Sequence, residues 1–309
     1  MKILITGGLG FIGSHLEKLC LNKKHEVFIL DLKNKDFLNK IDKNKKIFNC
    51  DITNFEELKK IKLNNLDLVL HCAGQPSAAR SFEVPYMDFQ VNILGTFNLL
   101  KWCGLNNVKR IIYASTFNVY KENSSIESYN ENCACEPKSL YAVSKLTAEN
   151  YIRVYGKHLG IDWNIFRMFN IYGPGQDSNN KFLGMISIFL NMAKKDPTIV
   201  VKGSLNRFRD FIFIDDVIKA WSLIIEDKKN VNKIYNLGSG TKCSLNNLLK
   251  EISLTLNKKL NIKEESGTPG DFMGSVSDIS KLKNDLNFKP EYDLKNGLKL
   301  FNDWLESKK

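Results

Sequence analysis

Near the amino terminus the chain reads Thr6-Gly7-Gly8-Leu9-Gly10-Phe11-Ile12-Gly13. Glycines at 7, 10 and 13 form Gly-x-x-Gly-x-x-Gly. Gly7 permits a tight turn, Gly10 lets backbone approach a pyrophosphate, and Gly13 lets a helix pack closely on a strand. Phe11 and Ile12 ride in the first turn of that helix, whose free N–H groups and partial positive charge favour an anion. A glycine turn means little alone. Here an apolar strand pattern precedes it at 2–5 and a helical pattern follows at 11–21, the context a dinucleotide site requires.

Working outward, short apolar runs at 26–30, 46–49, 66–71, 108–114 and 162–167 read as further strands. Helical patterns at 54–61, 85–104 and 141–159 lie between them. Strand-helix alternation predicts an α/β fold, a Rossmann-like doubly wound parallel sheet with helices on both faces. The second strand ends at Asp31, where a carboxylate can accept both ribose hydroxyls and would repel a 2′-phosphate. The expected cofactor is therefore NAD rather than NADP, with Lys33 the nearest cation to Asp31 in sequence. After residue 170 the rhythm changes. Helices at 184–193, 215–225, 245–256 and 294–305, and strands at 198–201 and 233–237, suggest a smaller α/β substrate lobe closing over the sheet's carboxyl edge. The expected division is 1–170 for the NAD-binding domain, with 210–240 returning to it, and 171–309 mainly for the substrate lobe.

Charge and composition narrow the class. The 309 residues carry a formal net charge of +11, with 43% hydrophobic and 26% charged residues. Lysine and asparagine are spread along the whole chain, with no basic helix interleaved with aromatics, so a nucleic-acid partner is not expected. No apolar run reaches the roughly 18 residues that span a bilayer, and no membrane partner is expected. The seven cysteines are scattered without zinc spacing, which suits a reducing cytoplasm and predicts no metal.

Tyr141-Ala142-Val143-Ser144-Lys145 places a phenol and an ammonium four residues apart on one helical face. A tyrosine base working near neutrality needs its pKa lowered from about 10 by about three units, and a nearby cation has the right sign. Lys145 could also hold the nicotinamide ribose. The fifth strand runs into Ser115-Thr116-Phe117-Asn118-Val119-Tyr120.

Together and in this order, these motifs resemble the extended short-chain dehydrogenase/reductase family, the NAD-dependent nucleotide-sugar epimerases and dehydratases. The resemblance implies that Asp51 and Ile52 contact adenine and that Ala73 and Gly74 line the cofactor channel. It makes Asn92 the residue that orders the central helix, and Thr116, Tyr141 and Lys145 the catalytic set, with Tyr141 and Lys145 also touching cofactor. For the substrate it implies Ser77 beside the sugar, Asn170 in Arg167-Met168-Phe169-Asn170-Ile171-Tyr172-Gly173-Pro174, Val200 beside the base and Arg209 on the diphosphate. Ser275 matches a wall position where a small residue leaves room for a 2-N-acetyl group. Two positions depart from the pattern: Thr268-Pro269-Gly270-Asp271 lacks an arginine that many relatives have, and Lys121 replaces a glycine. Dehydratases of the family carry two carboxylates after the Thr116 position, where this chain has Phe117 and Asn118. The implied activity is therefore 4-epimerisation of a nucleotide-diphospho-hexose. A 4-keto-sugar reductase, an epimerase at another carbon and a non-catalytic NAD-sensing scaffold are the alternatives. The resemblance also implies a homodimer, paired through the helices at 85–104 and 141–159.

Overall fold

The computed structural model describes residues 1–33, 35–39, 42–123, 128–177, 184–267 and 273–308. The Thr268-Pro269-Gly270-Asp271 stretch lies outside them. The described residues group into two units: Met1–Val119, Pro137–Arg167 and Ile224–Ile234 in the first, and Tyr120–Glu136, Met168–Leu223 and Tyr235–Lys309 in the second.

The first unit is built on five parallel strands, β1 (Lys2–Thr6), β2 (Glu26–Asp31), β3 (Ile47–Asn49), β4 (Leu68–His71) and β5 (Arg110–Thr116). They lie side by side as β3-β2-β1-β4-β5, followed by Asp162–Met168 and then the start of Lys233–Leu237 at the far edge. Ile3 of β1 stands opposite Val27 of β2 and Leu68 of β4. Ile3, Leu4 and Ile5 are wholly buried, as a central parallel strand covered on both faces must be. The chain winds one way from β1 to β3 and the other way from β4 onward. The carboxyl ends of β1 and β4 therefore flank the switch point, where doubly wound sheets bind ligands. Helix α1 (Phe11–Asn22) follows β1.

The helical pattern at 85–104 is not one helix. It divides into Pro85–Asp88, a π-helical turn at Phe89–Leu94 and a regular helix at Gly95–Leu105. Apolar periodicity cannot register this, because one wide turn barely alters it. Polar contacts hold this turn: Asp88 and Asn92 both bond the loop after β4, and the Thr96 hydroxyl donates to the Asn92 carbonyl at 2.7 Å. Gly95 opens the next helix against the Ile52 side chain, which would lie 2.7 Å from a Cβ there. Beneath these helices Leu99, Leu100, Trp102, Ile111, Ile152 and Ile165 form one buried cluster. Each such aliphatic side chain contributes about 1.5–3 kcal/mol.

The second unit is built from short ladders rather than one sheet. Asn170–Tyr172 pairs with Phe211–Phe213, and Thr198–Lys202 with Asn261–Glu265, both parallel. Ser128–Tyr129 pairs with Val276–Ser277, and Phe208–Arg209 with Cys243–Ser244. Helices Met185–Lys195, Leu245–Leu256, Ser280–Leu286 and Leu294–Glu306 complete it. No helix among the described residues is long and apolar enough to cross a membrane.

Candidate active site

The glycine turn has the shape of a phosphate cradle. Gly7 sits at φ +67°, and a Cβ there would lie 2.7 Å from the Ala73 nitrogen. A Cβ on Gly13 would lie 2.2 Å from the Gly7 carbonyl oxygen, so helix and strand pack as closely as the sequence implies. Gly10 differs, because a Cβ there would meet only the Gly7 carbonyl within 4 Å. Gly10 caps α1 without a side chain, and the first turn, where Phe11 and Ile12 are half-buried, holds no acid. The Asp31 carboxylate accepts from the Leu9 N–H at 2.9 Å and from the Leu32 N–H at 2.8 Å, so it is fastened to the turn itself. The Lys33 ammonium stands 3.8 Å from it. Asp51 accepts from the Thr53 N–H at 2.8 Å, and the buried Ile52 offers its carbonyl to Asn98.

After β4, the loop carrying Ala73 and Gly74 is held from two sides. The Ala73 N–H donates to the Thr6 hydroxyl at 3.3 Å. Asn92, wholly buried in the π turn, accepts from the Gln75 N–H at 2.9 Å. Its amide donates to the Gln75 carbonyl, to Asp88 and to the Ser144 hydroxyl. A Cβ on Gly74 would lie 2.9 Å from Asn92 Oδ1. Ser77 caps the following helix by accepting from the Arg80 N–H at 3.2 Å. Gln75 and Asp88 belong to this network and had no local signal in the sequence.

Thr116 ends β5, and Tyr141 and Lys145 project from the Leu140–His158 helix, which Ser139 caps. The Thr116 hydroxyl lies near enough to the Tyr141 phenol to favour its charged form, and Lys145 stands one helical turn beyond Tyr141. Asn118 donates its backbone N–H and side-chain amide to Thr116 Oγ1 at 3.3 and 3.2 Å, which leaves the hydroxyl proton for the phenol. Asn118, read in the sequence only as a missing carboxylate, therefore orients Thr116. Burial nevertheless dominates and pushes the Tyr141 phenol up to about 12. The expected lowering of this phenol is not met by the chain alone. Burial also pushes the Lys145 ammonium down to about 8, against smaller opposing effects of Cys72, Glu149 and Asp88. Desolvation penalises the charged form of either group. The Lys145 Nζ lies 3.8 Å from where a Gly74 Cβ would be, beside the loop that Asn92 orders.

Arg167 and Ser115 are tied to a partner the sequence did not suggest. The fully buried Glu149 accepts from Arg167 Nη2 at 2.8 Å and from the Ser115 hydroxyl. These contacts tie β5, the Leu140–His158 helix and the next strand together.

In the second unit, Asp210 is the knot. Its carboxylate accepts from Ser239, Gly240 and both polar groups of Ser277, and its carbonyl accepts from the Asn170 amide at 2.9 Å. Arg209 is buried and donates to the Phe208 carbonyl at 2.8 Å. Burial and the neighbouring Arg207 push its guanidinium down to about 10. A bridge between Phe208 and Gly274 brings the next residues, Arg209 and Ser275, alongside each other. The Ser275 hydroxyl is buried without a hydrogen-bond partner among the described residues. Half-buried Val200 lies apart from them, on the Thr198–Lys202 ladder.

Residues 3–238 match the NAD dependent epimerase/dehydratase family. Among solved structures, the chain is similar to UDP-glucose 4-epimerase from Thermotoga maritima with UDP-glucose. Identity is 29% over 100% of this chain and 99% of that one, with a TM-score of 0.93. It is similar to UDP-glucose 4-epimerase from Thermus thermophilus in complex with NAD, at 31% identity over 99% of each chain and a TM-score of 0.88. It is also similar to UDP-N-acetylglucosamine 4-epimerase from Methanobrevibacter ruminantium in complex with UDP-N-acetylmuramic acid. There identity is 31% over 100% of this chain and 99% of that one, with a TM-score of 0.90.

Proposed function

The chain belongs to the NAD dependent epimerase/dehydratase family, and we propose that it inverts C4 of the hexose in a nucleotide-diphospho-sugar. The observation that carries this reading is the Thr116 hydroxyl set beside the Tyr141 phenol, one helical turn from Lys145, in a site where Phe117 and Asn118 stand in place of an acid/base pair. Elimination of water needs a second proton-transfer group, whereas inversion at one carbon needs one.

The open face at Gly10 and the amino terminus of α1 hold the NAD pyrophosphate, Asp31 accepts from the ribose hydroxyls, and Asp51 and Ile52 border adenine. Ala73, Gly74 and Asn92 shape the nicotinamide end, where Lys145 holds the second ribose. Bound NAD supplies a reversible hydride acceptor and a positive ring charge that favours the Tyr141 phenolate. Tyr141 Oη takes the proton from the sugar 4-hydroxyl and later returns it. Thr116 steadies that hydroxyl, itself oriented by Asn118.

For the substrate, the Arg209 guanidinium pairs the diphosphate, a match of planar donors to phosphate oxygens. Asn170 and Ser77 contact the glycosyl phosphate and sugar, and Val200 borders the base. The substrate is UDP-glucose or UDP-galactose, or a UDP-N-acetylhexosamine for which the small Ser275 leaves room. The working form is a homodimer. Tyr86, Met87 and Phe89, and Val143, Tyr151 and Val154, are exposed apolar side chains on the two helical segments expected to pair.

Tyr141→Phe tests the assignment. Turnover of the accepted nucleotide sugar falls about 10²–10⁴-fold while NAD stays bound. Retention of most turnover eliminates Tyr141 as the base.

A further inference from the structure

Lys145 is only 6% exposed, yet among the described residues no ion pair or hydrogen bond holds its ammonium. What it does touch is an aromatic face: Nζ lies 4.2 Å from the centroid of the Tyr113 ring. Tyr113 is buried in β5, directly opposite His71 of β4, and the two rings pack 5.1 Å apart at 32°. We propose that Tyr113 is a positioning residue, whose ring face, backed by a neutral His71, keeps the Lys145 ammonium charged and in place beside Tyr141. This rests on the reading of Tyr141 and Lys145 given above.

The ring meets the ammonium directly, while Glu149 and Asp88 attract it from beyond ion-pair distance. Glu149, on the same helix, is committed to Arg167 and Ser115. Asp88 is committed to Gln75 and Asn92. Cys72, in the loop after β4, is held as a neutral thiol by burial, which pushes it up to about 12. The Tyr141 phenol has the Thr116 hydroxyl beside it. A desolvated ammonium over an aromatic face is attracted by the ring quadrupole, most strongly where water is excluded.

His71 completes the device because its tautomer is fixed. The Thr96 hydroxyl gives its proton to the Asn92 carbonyl, so at 2.9 Å it accepts from His71 Nε2–H. Nδ1 then accepts from the Thr6 hydroxyl at 2.7 Å. Both ring nitrogens are satisfied in the neutral form, and burial with the nearby Lys145 pushes the imidazole down to about 3. A second cation behind the ring is thereby avoided across the whole working range.

The test uses the NAD-loaded enzyme with Tyr113→Phe, Tyr113→Leu and a pentafluorinated phenylalanine installed at position 113. The last keeps the ring's shape and inverts its quadrupole. Two readouts are taken: the pH profile of kcat/KM, and the titration of Lys145 by ¹³C NMR of labelled lysine side chains, assigned by the signal missing in Lys145→Met. Tyr113→Phe leaves both within threefold of the parent. The fluorinated ring moves the Lys145 titration and the alkaline limb of the profile about one pH unit lower, cuts kcat about fivefold at pH 8 and leaves KM unchanged. Tyr113→Leu follows it if it folds, and the fluorinated chain decides the matter if it does not. Superimposable profiles for the fluorinated and Tyr113→Phe enzymes overturn the inference. That failure is separable from failure of the catalytic reading, which shows instead as turnover surviving Tyr141→Phe.

Discussion

Replacing Lys145 by methionine should stabilise the protein while destroying its chemistry. Each factor of ten in proton affinity is about 1.4 kcal/mol, so taking this lysine from 10.5 to about 8 costs the fold roughly 3 kcal/mol at neutral pH. Methionine fills the same slot with an unbranched apolar chain and carries no charge. The gain for Lys145→Met at pH 7 is therefore about 3 kcal/mol. Its sign with pH is fixed by linkage. Below pH 8 the folded and unfolded chains both carry the proton, and the full penalty stands. Between about 8 and 10.5 the unfolded chain holds a proton that the folded chain does not, so the parent gains stability as pH rises. Above that window the penalty is gone. Urea denaturation of both proteins, freed of nucleotide and compared at pH 7, 9 and 10.5, should show a gap that narrows to nothing. A Lys145→Met protein no more stable than the parent at pH 7, or a gap independent of pH, would refute this electrostatic reasoning.

Glu149→Ala removes the carboxylate that the buried Arg167 guanidinium and the Ser115 hydroxyl share. It should cost about 3–5 kcal/mol in chemical denaturation, and adding Arg167→Met should recover most of it. Gly13→Ala puts a methyl 2.2 Å from the Gly7 carbonyl. NAD affinity by calorimetric titration should fall more than tenfold, and an unchanged Kd would argue against the cradle. Ser275→Tyr should lower kcat/KM for N-acetylhexosamine substrates at least tenfold relative to the plain hexoses. Equal effects on both would remove Ser275 as a size filter.

What could be read in advance was local. The glycine turn, Asp31 and the Tyr141–Lys145 spacing all lie within one strand, turn or helix, so their chemistry shows in adjacent residues. Strand β5 was foreseen at 108–114 and runs instead from Arg110 to Thr116. The Asn107 turn, at φ +53°, delays its start. What stayed hidden depends on register. His71 faces Tyr113 only because β4 and β5 pair as they do, and nothing near either residue announces a lysine above the ring. Glu149 meets Arg167 across two elements. The π turn at Phe89–Leu94 keeps the hydrophobic rhythm of an ordinary helix, so the polar contacts that hold it appear only once Asn92 and Gln75 are brought together. In the second unit, two-residue strands such as Ser128–Tyr129 and Val276–Ser277 are too short to carry any alternation. The Arg209-Asp210-Phe211 motif also divides its work in a way spacing cannot show: Asp210 fastens Ser239, Gly240 and Ser277, while Arg209 bonds the Phe208 carbonyl.

The most direct test is to offer the purified protein, with no cofactor added, nucleotide hexoses carrying deuterium at C4 in ordinary water, and to follow the sugar by NMR. A 4-epimerase working through Tyr141 yields the C4 epimer with its deuterium retained. Loss of the label to solvent, inversion at a different carbon, or a product formed only with stoichiometric NADH or NADPH would contradict inversion at C4.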